Sequence, residues 1–197
     1  MPPAQHPTWS FDAIDRWMES HRQFWHDRLD GLLAGPTREK NVTLARQDNL
    51  ADSKISMQRV FNAPRALVFA SWTNAEDVAA WFAPDGFTVL SSDMDATPGG
   101  RWRVTFRSDA GEVHEEFGEF IDVREPDRLE FSLTQRSNGK SGPKTTVTVE
   151  FTETGGRTHM AFQQSGYASK AMRNGNAEGW AECFRKLEAH LTRTLAH

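Results

Sequence analysis

Arg101-Trp102-Arg103-Val104-Thr105-Phe106-Arg107 is the stretch whose reading decides the fold. Trp102, Val104 and Phe106 alternate with polar residues, so one face of the segment is apolar and the other wet. The same grammar extends downstream. Asp109-Ala110-Gly111 reads as a hairpin turn into a strand over Glu112–Val123, and Pro126-Asp127 leads into Arg128–Gln135, where Leu129, Phe131 and Leu133 alternate. After a Gly/Ser loop at Ser137–Pro143 comes a strand carrying Val147, Val149 and Phe151. Gly155-Gly156 then turns the chain into Thr158–Gln163. Upstream, Pro98-Gly99-Gly100 and Pro84-Asp85-Gly86 bracket a strand at Phe87–Met94. Ile55–Phe61 is a further strand, followed by two short helices at Pro64–Trp72 and Asn74–Phe82. A long closing helix over about Asn176–Leu195 puts Trp180, Phe184, Leu187, Leu191 and Leu195 on one stripe.

The order is a strand, two short helices, six antiparallel strands and a long helix. A sheet with one apolar face needs cover, and the last helix is the long element available to supply it. The expected class is therefore α+β, a curved antiparallel sheet wrapped around a C-terminal helix, occupying residues 55–197. Periodicity leaves open whether the space between them is filled or hollow.

Residues 1–54 differ in character. Phe11, Ile14, Met18, Trp25, Leu29 and Leu32 recur at helical spacing, Trp17 and Phe24 widen the stripe, and Ser10 and Gly35-Pro36 bound it. A helix from about Phe11 to Ala34 is expected, then a polar linker over Thr37–Lys54. So large an apolar stripe needs a partner.

Composition bounds the function. The chain has 197 residues, 38% hydrophobic and 25% charged, as in an ordinary water-soluble globule. No apolar run approaches the roughly 20 residues of a membrane helix. The first ten residues lack the apolar region of a secretory signal. One cysteine, Cys183, excludes an intramolecular disulfide, so a cytoplasmic protein is expected. Net charge is −4 without a Lys/Arg block, so this chain alone lacks the basic footprint of a nucleic-acid binder. Seven histidines are scattered without metal spacing, and no metal or cofactor is called for. Seven Trp and thirteen Phe against one Tyr give much apolar area with few polar handles, suiting a large core or a greasy cavity equally.

The polar residues that stand out are His114 and Glu116. Alternation puts them on one face with Gly118 and Phe120, and puts Val113, Glu115, Phe117, Glu119 and Ile121 on the other. Gly118 would open room for a ligand if the first face turns inward. An imidazole and a carboxylate there would need partners: each other, or Arg103 and Arg107. Val113 and Phe117 make the opposite face equally apolar, so which face points inward stays open. Trp81, Trp102 and Trp180 belong either to a packed core or to a pocket wall in which an indole N–H orients a ligand.

Several runs, in this order, resemble one family. They are Arg59-Val60-Phe61-Asn62-Ala63-Pro64-Arg65, Val68-Phe69-Ala70-Ser71-Trp72-Thr73, Trp81-Phe82-Ala83-Pro84, Pro98-Gly99-Gly100-Arg101-Trp102, Gly118-Glu119-Phe120, Pro126-Asp127-Arg128-Leu129 and Glu178-Gly179-Trp180. The set is similar to SRPBCC (START-like) domains of the activator-of-Hsp90-ATPase-homologue type. The resemblance implies a helix-grip fold with a cavity under the C-terminal helix, and by itself no reaction. Nothing here matches a separate Hsp90-docking domain. Trp17-Met18-Glu19-Ser20-His21-Arg22-Gln23-Phe24-Trp25 and Arg28-Leu29-Asp30 resemble the last helix of ArsR-type regulators. That second resemblance implies a homodimer through this segment.

The function expected is binding of a small hydrophobic or amphipathic molecule, in a regulatory or stress setting. Its pocket would be lined by Trp81, Trp102, Phe106, His114, Glu116, Phe120, Phe131, Trp180 and Phe184, with no catalytic residue assigned. The alternatives are a cyclase- or hydrolase-type enzyme using His114 and Glu116 as acid and base, and a helix-mediated interaction protein.

Overall fold

Cross-strand pairing of the alternating segments builds the molecule. In a computed structural model, residues 54–196 are described. The elements are β1 (Ile55–Phe61), α1 (Arg65–Thr73), α2 (Ala75–Trp81), β2 (Phe87–Met94), β3 (Arg101–Ser108), β4 (Val113–Arg124), β5 (Arg128–Ser137), β6 (Lys140–Ser141), β7 (Thr145–Thr154), β8 (Arg157–Ser165) and α3 (Lys170–Leu195). The strands form one antiparallel sheet in the order β1-β8-β7-β5-β4-β3-β2, with the two-residue β6 beside β5. The sheet curls into a half-barrel against α3, a helix-grip fold of the α+β class. The expected helix over Phe11–Ala34, its linker and any dimer contact through them lie outside the described residues.

Local chemistry sets the helix ends. Pro64 precedes α1, whose first free N–H, from Arg65, is taken by the Glu153 carboxylate at 2.7 Å. The Asn74 side chain caps α2 by accepting from the N–H groups of Glu76 and Asp77. Helix α3 starts six residues before the expected Asn176, because the Ser169 hydroxyl accepts from Met172 N–H at 3.1 Å and caps the extra turns. Met172 and Asn176 are buried in those turns. At the other end Leu195, assigned to the stripe, is half exposed, and the buried face ends at Leu191.

Strand β4 presents His114 and Phe120 inward, 2% and 3% exposed, while Val113 and Ile121 stand about half exposed outside. The outward Phe117 is covered by two guanidinium groups, Arg136 at 4.7 Å and Arg103 at 5.8 Å from the ring centroid. Both arginines also bond Glu115, so an aromatic on the wet face is sheltered by charge. A bulge does interrupt β4, but between Phe120 and Asp122, beyond the residues whose facing matters.

Candidate ligand-binding site

Register places the inward side chains in rows across the sheet. On β3 and β4, Trp102 lies opposite Gly118, Val104 opposite Glu116, and Phe106 opposite His114. On β5, Gln135 lies opposite Glu116. Three zones result along the half-barrel: an aromatic block, a polar middle row, and a second aromatic group around His114.

The aromatic block centres on Trp72 of α1, 3% exposed. Its ring lies 4.8 Å from Trp81 and 5.9 Å from a nearly parallel Trp180. Phe162 closes to 4.6 Å from Trp180 and 5.2 Å from Phe184, and Phe131 stands edge-on to Trp102 at 5.5 Å. Phe120 packs on Phe131 at 5.8 Å. Burying each such ring stabilises by on the order of 1.5–3 kcal/mol, so this end of the half-barrel is core.

The polar row crosses four elements. Trp180 Nε1–H donates to Gln164 Oε1 at 2.6 Å, Gln164 Nε2–H donates to Thr145 Oγ1 at 2.9 Å, and Thr145 donates to Leu133 O at 3.0 Å. Gln164 and Thr145 are 1% and 4% exposed. This relay ties α3 to β8, β7 and β5. Beside it the half-buried Glu116 carboxylate accepts from Gln135 Nε2–H. His114 stacks flat on Phe106 at 5.8 Å and meets Phe87 edge-on at 5.4 Å.

The nine candidate residues are thus divided. Trp81, Trp102, Phe120, Phe131, Trp180 and Phe184 share the aromatic block, Phe106 and His114 share the second group, and Glu116 sits between. Three readings of the sequence are resolved here. The indole N–H groups of Trp81, Trp102 and Trp180 do not face a ligand space: they donate to Ser71 O, Ser132 O and Gln164. Gly118 does not open room either. A Cβ there would lie 1.7 Å from Ser132 O and 2.9 Å from the Trp102 indole nitrogen, so the glycine lets that indole cross β4. Arg103 points to Glu115 on the outer face and Arg107 is exposed, so the two arginines expected beside Glu116 are turned to solvent.

Another glycine, which carried no expectation of space, has open space beside it. A Cβ on Gly179 of α3 would meet nothing within 4 Å. Yet Asn176 and Cys183, three residues before it and four after, are 5% and 6% exposed. Gly179 itself is partly exposed, so open space lies beside this flank of α3. Cys183 lies within electrostatic reach of the sheet. Burial pushes its thiol pKa far up, and the Glu116 charge pushes it further. Gln135 and Gln164 are readable in sequence as single polar residues ending the apolar stripes of β5 and β8. Trp72 is visible there only inside a family motif. Among the described residues no group of three His, Cys, Asp or Glu side chains converges as a metal site, and no helix is long and apolar enough to cross a membrane.

The same architecture recurs in solved structures. A protein from Silicibacter pomeroyi, described as AHSA1, superposes with a TM-score of 0.66 at 22% identity, covering 74% of this chain and all of that one (100%). A protein of undescribed function from Rhizobium leguminosarum gives 0.64 at 25% identity, covering 72% of this chain and 95% of that one. One from Arthrobacter aurescens gives 0.64 at 20% identity over 80% of this chain and 91% of its own. No curated protein matches. The family model described as activator of Hsp90 ATPase homolog 1-like protein matches residues 62–192, from the residue after β1 to the last turn of α3. With that span covering well over half of the sequence, the chain belongs to the activator of Hsp90 ATPase homolog 1-like family.

Proposed function

We propose that the protein binds a small, mainly apolar molecule bearing a polar group, seated between the N-terminal half of α3 and the middle of the sheet. The observation that carries this reading is the open space at Gly179 between buried Asn176 and Cys183. A row with hydrogen-bonding capacity, Glu116 and Gln135, supports it from the sheet side, since ligand sites are mostly apolar with a few placed polar groups. His114, enclosed by Phe106 and Phe87, suits a wall residue better than a group exchanging protons with a substrate. The aromatic block is the floor of such a site.

The test is Gly179→Leu. The new side chain would occupy the hollow, and leaving glycine in a helix is worth roughly 1 kcal/mol in helix propensity. The variant should unfold at the same or a higher temperature than the parent. Binding of 2-naphthylmethanol, followed by tryptophan quenching and calorimetry, should be lost. A stable Gly179→Leu protein that binds this probe as well as the parent would show that the ligand space is elsewhere.

A further inference from the structure

We propose that the loop Ala83–Gly86 is a movable wall of this ligand space, held against α3 by Lys186 and Asp85, and that its release sets how fast a ligand enters and leaves. The inference rests on the reading above and adds the route by which the site fills.

One flank of α3 joins the loop to the space. Gly179, Glu182, Cys183 and Lys186 stand at positions i, i+3, i+4 and i+7, so they share a face of the helix. Two of them hold the loop. Lys186 Nζ donates to Ala83 O at 2.7 Å and to Pro84 O at 3.0 Å, and it lies 3.4 Å from the Asp85 carboxylate. Asp85 N–H donates to the Glu182 carboxylate at 3.0 Å, and Arg185 bonds the Asp85 side chain. At a rise of 1.5 Å per residue, Glu182 lies about 4.5 Å along the axis from Gly179. The loop therefore meets the helix within one turn of the open space. The field at Cys183 reports the same convergence, because Asp85 of the loop and Glu116 of β4 both act to keep the proton on the thiol.

The loop is fastened differently at its ends and in its middle. Before it, Val78, Trp81 and Phe82 are buried, so α2 is held by packing. After it, Gly86 O accepts from Asp109 N–H at 2.9 Å, and Phe87 meets Phe106 edge-on at 5.6 Å. Between these anchors Pro84, Asp85 and Gly86 are partly exposed. The middle is tied to α3 by hydrogen bonds and ion pairs at the rim, and segments held in that way open at lower free energy than packed ones. Gly86, at a φ of 79°, occupies a region that glycine enters freely, which suits a pivot at that end.

Stopped-flow mixing of the full chain with 2-naphthylmethanol, read by tryptophan quenching, tests the wall. Lys186→Met keeps an unbranched apolar stem and removes the ammonium that grips both carbonyls. Association and dissociation should each quicken about tenfold, the loss of roughly one charge-assisted hydrogen bond, with Kd within about twofold of the parent. Both rates move together because the tie belongs to the closed form, filled or empty, and is absent from the open one. Asp85→Asn, which keeps the main-chain bond to Glu182, should shift both rates in the same direction by less. Without any ligand, Cys183 in Lys186→Met should react with dithionitrobenzoate at pH 8 faster than in the parent, beyond what the change in urea midpoint accounts for. Unchanged rates or unchanged labelling in a folded Lys186→Met protein, with Gly179→Leu still abolishing binding, overturn the moving wall and leave the ligand space standing. Faster dissociation alone, with a weaker Kd, overturns it too, since Lys186 would then shape the site rather than hold it shut. If 2-naphthylmethanol binds no form of the protein, or Gly179→Leu changes nothing, the ligand space is refuted and its wall with it.

Discussion

Gln164→Glu turns the central hydrogen-bond relay into a pH-dependent one. Gln164 is 1% exposed and uses both ends of its amide. The Trp180 indole can only donate, so it fixes the carbonyl toward α3 and the NH2 toward Thr145. A protonated carboxyl at this position reproduces the pattern, with its carbonyl accepting from Trp180 and its O–H donating to Thr145. An ionised one cannot donate to Thr145, and its charge would sit beside Trp180 and the inward row of Phe162 and Val147. The folded-state pKa of the introduced carboxyl must therefore rise well above its unfolded value of about 4.3. A group whose folded pKa is raised contributes its stability fully below the unfolded pKa, and that stability is lost as pH rises toward the folded pKa. The variant should be within about 1 kcal/mol of the parent near pH 4, where the carboxyl donates as the amide did. It should then lose roughly 1.4 kcal/mol per pH unit relative to the parent until the carboxyl ionises in the folded state. Urea unfolding of both proteins from pH 4 to pH 8, plotted as the difference, measures the slope. A difference that is flat with pH would mean that the relay is open to water and that the buried polar row has been misassigned.

Two further outcomes are expected. Gly118→Ala drives a Cβ to within 1.7 Å of a main-chain carbonyl, so it should cost at least about 3 kcal/mol in denaturant or prevent folding, whereas Gly179→Ala should be neutral or stabilising. Cys183, held protonated by burial and by Glu116, should resist a thiol reagent such as dithionitrobenzoate at pH 8 in the native protein and react at once in guanidinium; rapid native labelling would refute the enclosure of that flank.

The strands are legible in the sequence because each has one wet face. Trp102, Val104 and Phe106 alternate over a surface whose other side is solvent, and the turns between strands carry Gly, Pro or Asp. The facing of β4 is not legible, for an equally physical reason. Phe117 looks like a core residue in sequence and is one only in the sense that Arg103 and Arg136 cover it, and both arginines come from neighbouring strands. The indole partners are hidden in the same way. Ser132 O and Gln164 lie 30 and 16 residues from Trp102 and Trp180, and no local pattern announces an acceptor that arrives through sheet register. The early start of α3 is masked by Asn174, Gly175 and Asn176, poor helix formers by propensity, which the Ser169 cap and the burial of Met172 and Asn176 override.

The proposed ligand space beside Gly179 has a cause in the helix itself. A helix is a stiff rod, and its distance from the sheet is set by its bulkiest inward residues. In α3 these are Met172 in the first turn and Trp180, Phe184, Leu187 and Leu191 from the middle onward, all buried. Between Met172 and Trp180 the helix carries Gly175, and Gly179 stands on the flank of the inward face with open space beside it. At 1.5 Å of rise per residue, Gly179 lies about 12 Å along the axis from Leu187, too near for the rod to tilt inward without crushing Trp180 against Phe162. The rod is pinned as well: the Trp180–Gln164 bond holds its middle to β8, and Lys186 straps its C-terminal half to the loop after α2. Small residues on a rod that cannot lean leave space, and the sheet beneath that space offers Glu116 and Gln135 rather than another aromatic. Shortening the spacer should therefore close the hollow. Trp180→Leu removes the ring that holds the rod away, and the N-terminal half of α3 should settle onto the sheet. The naphthyl probe should then be excluded even though Gly179 and Glu116 are unchanged. Retained binding in a folded Trp180→Leu protein would show that the hollow does not depend on the helix being propped.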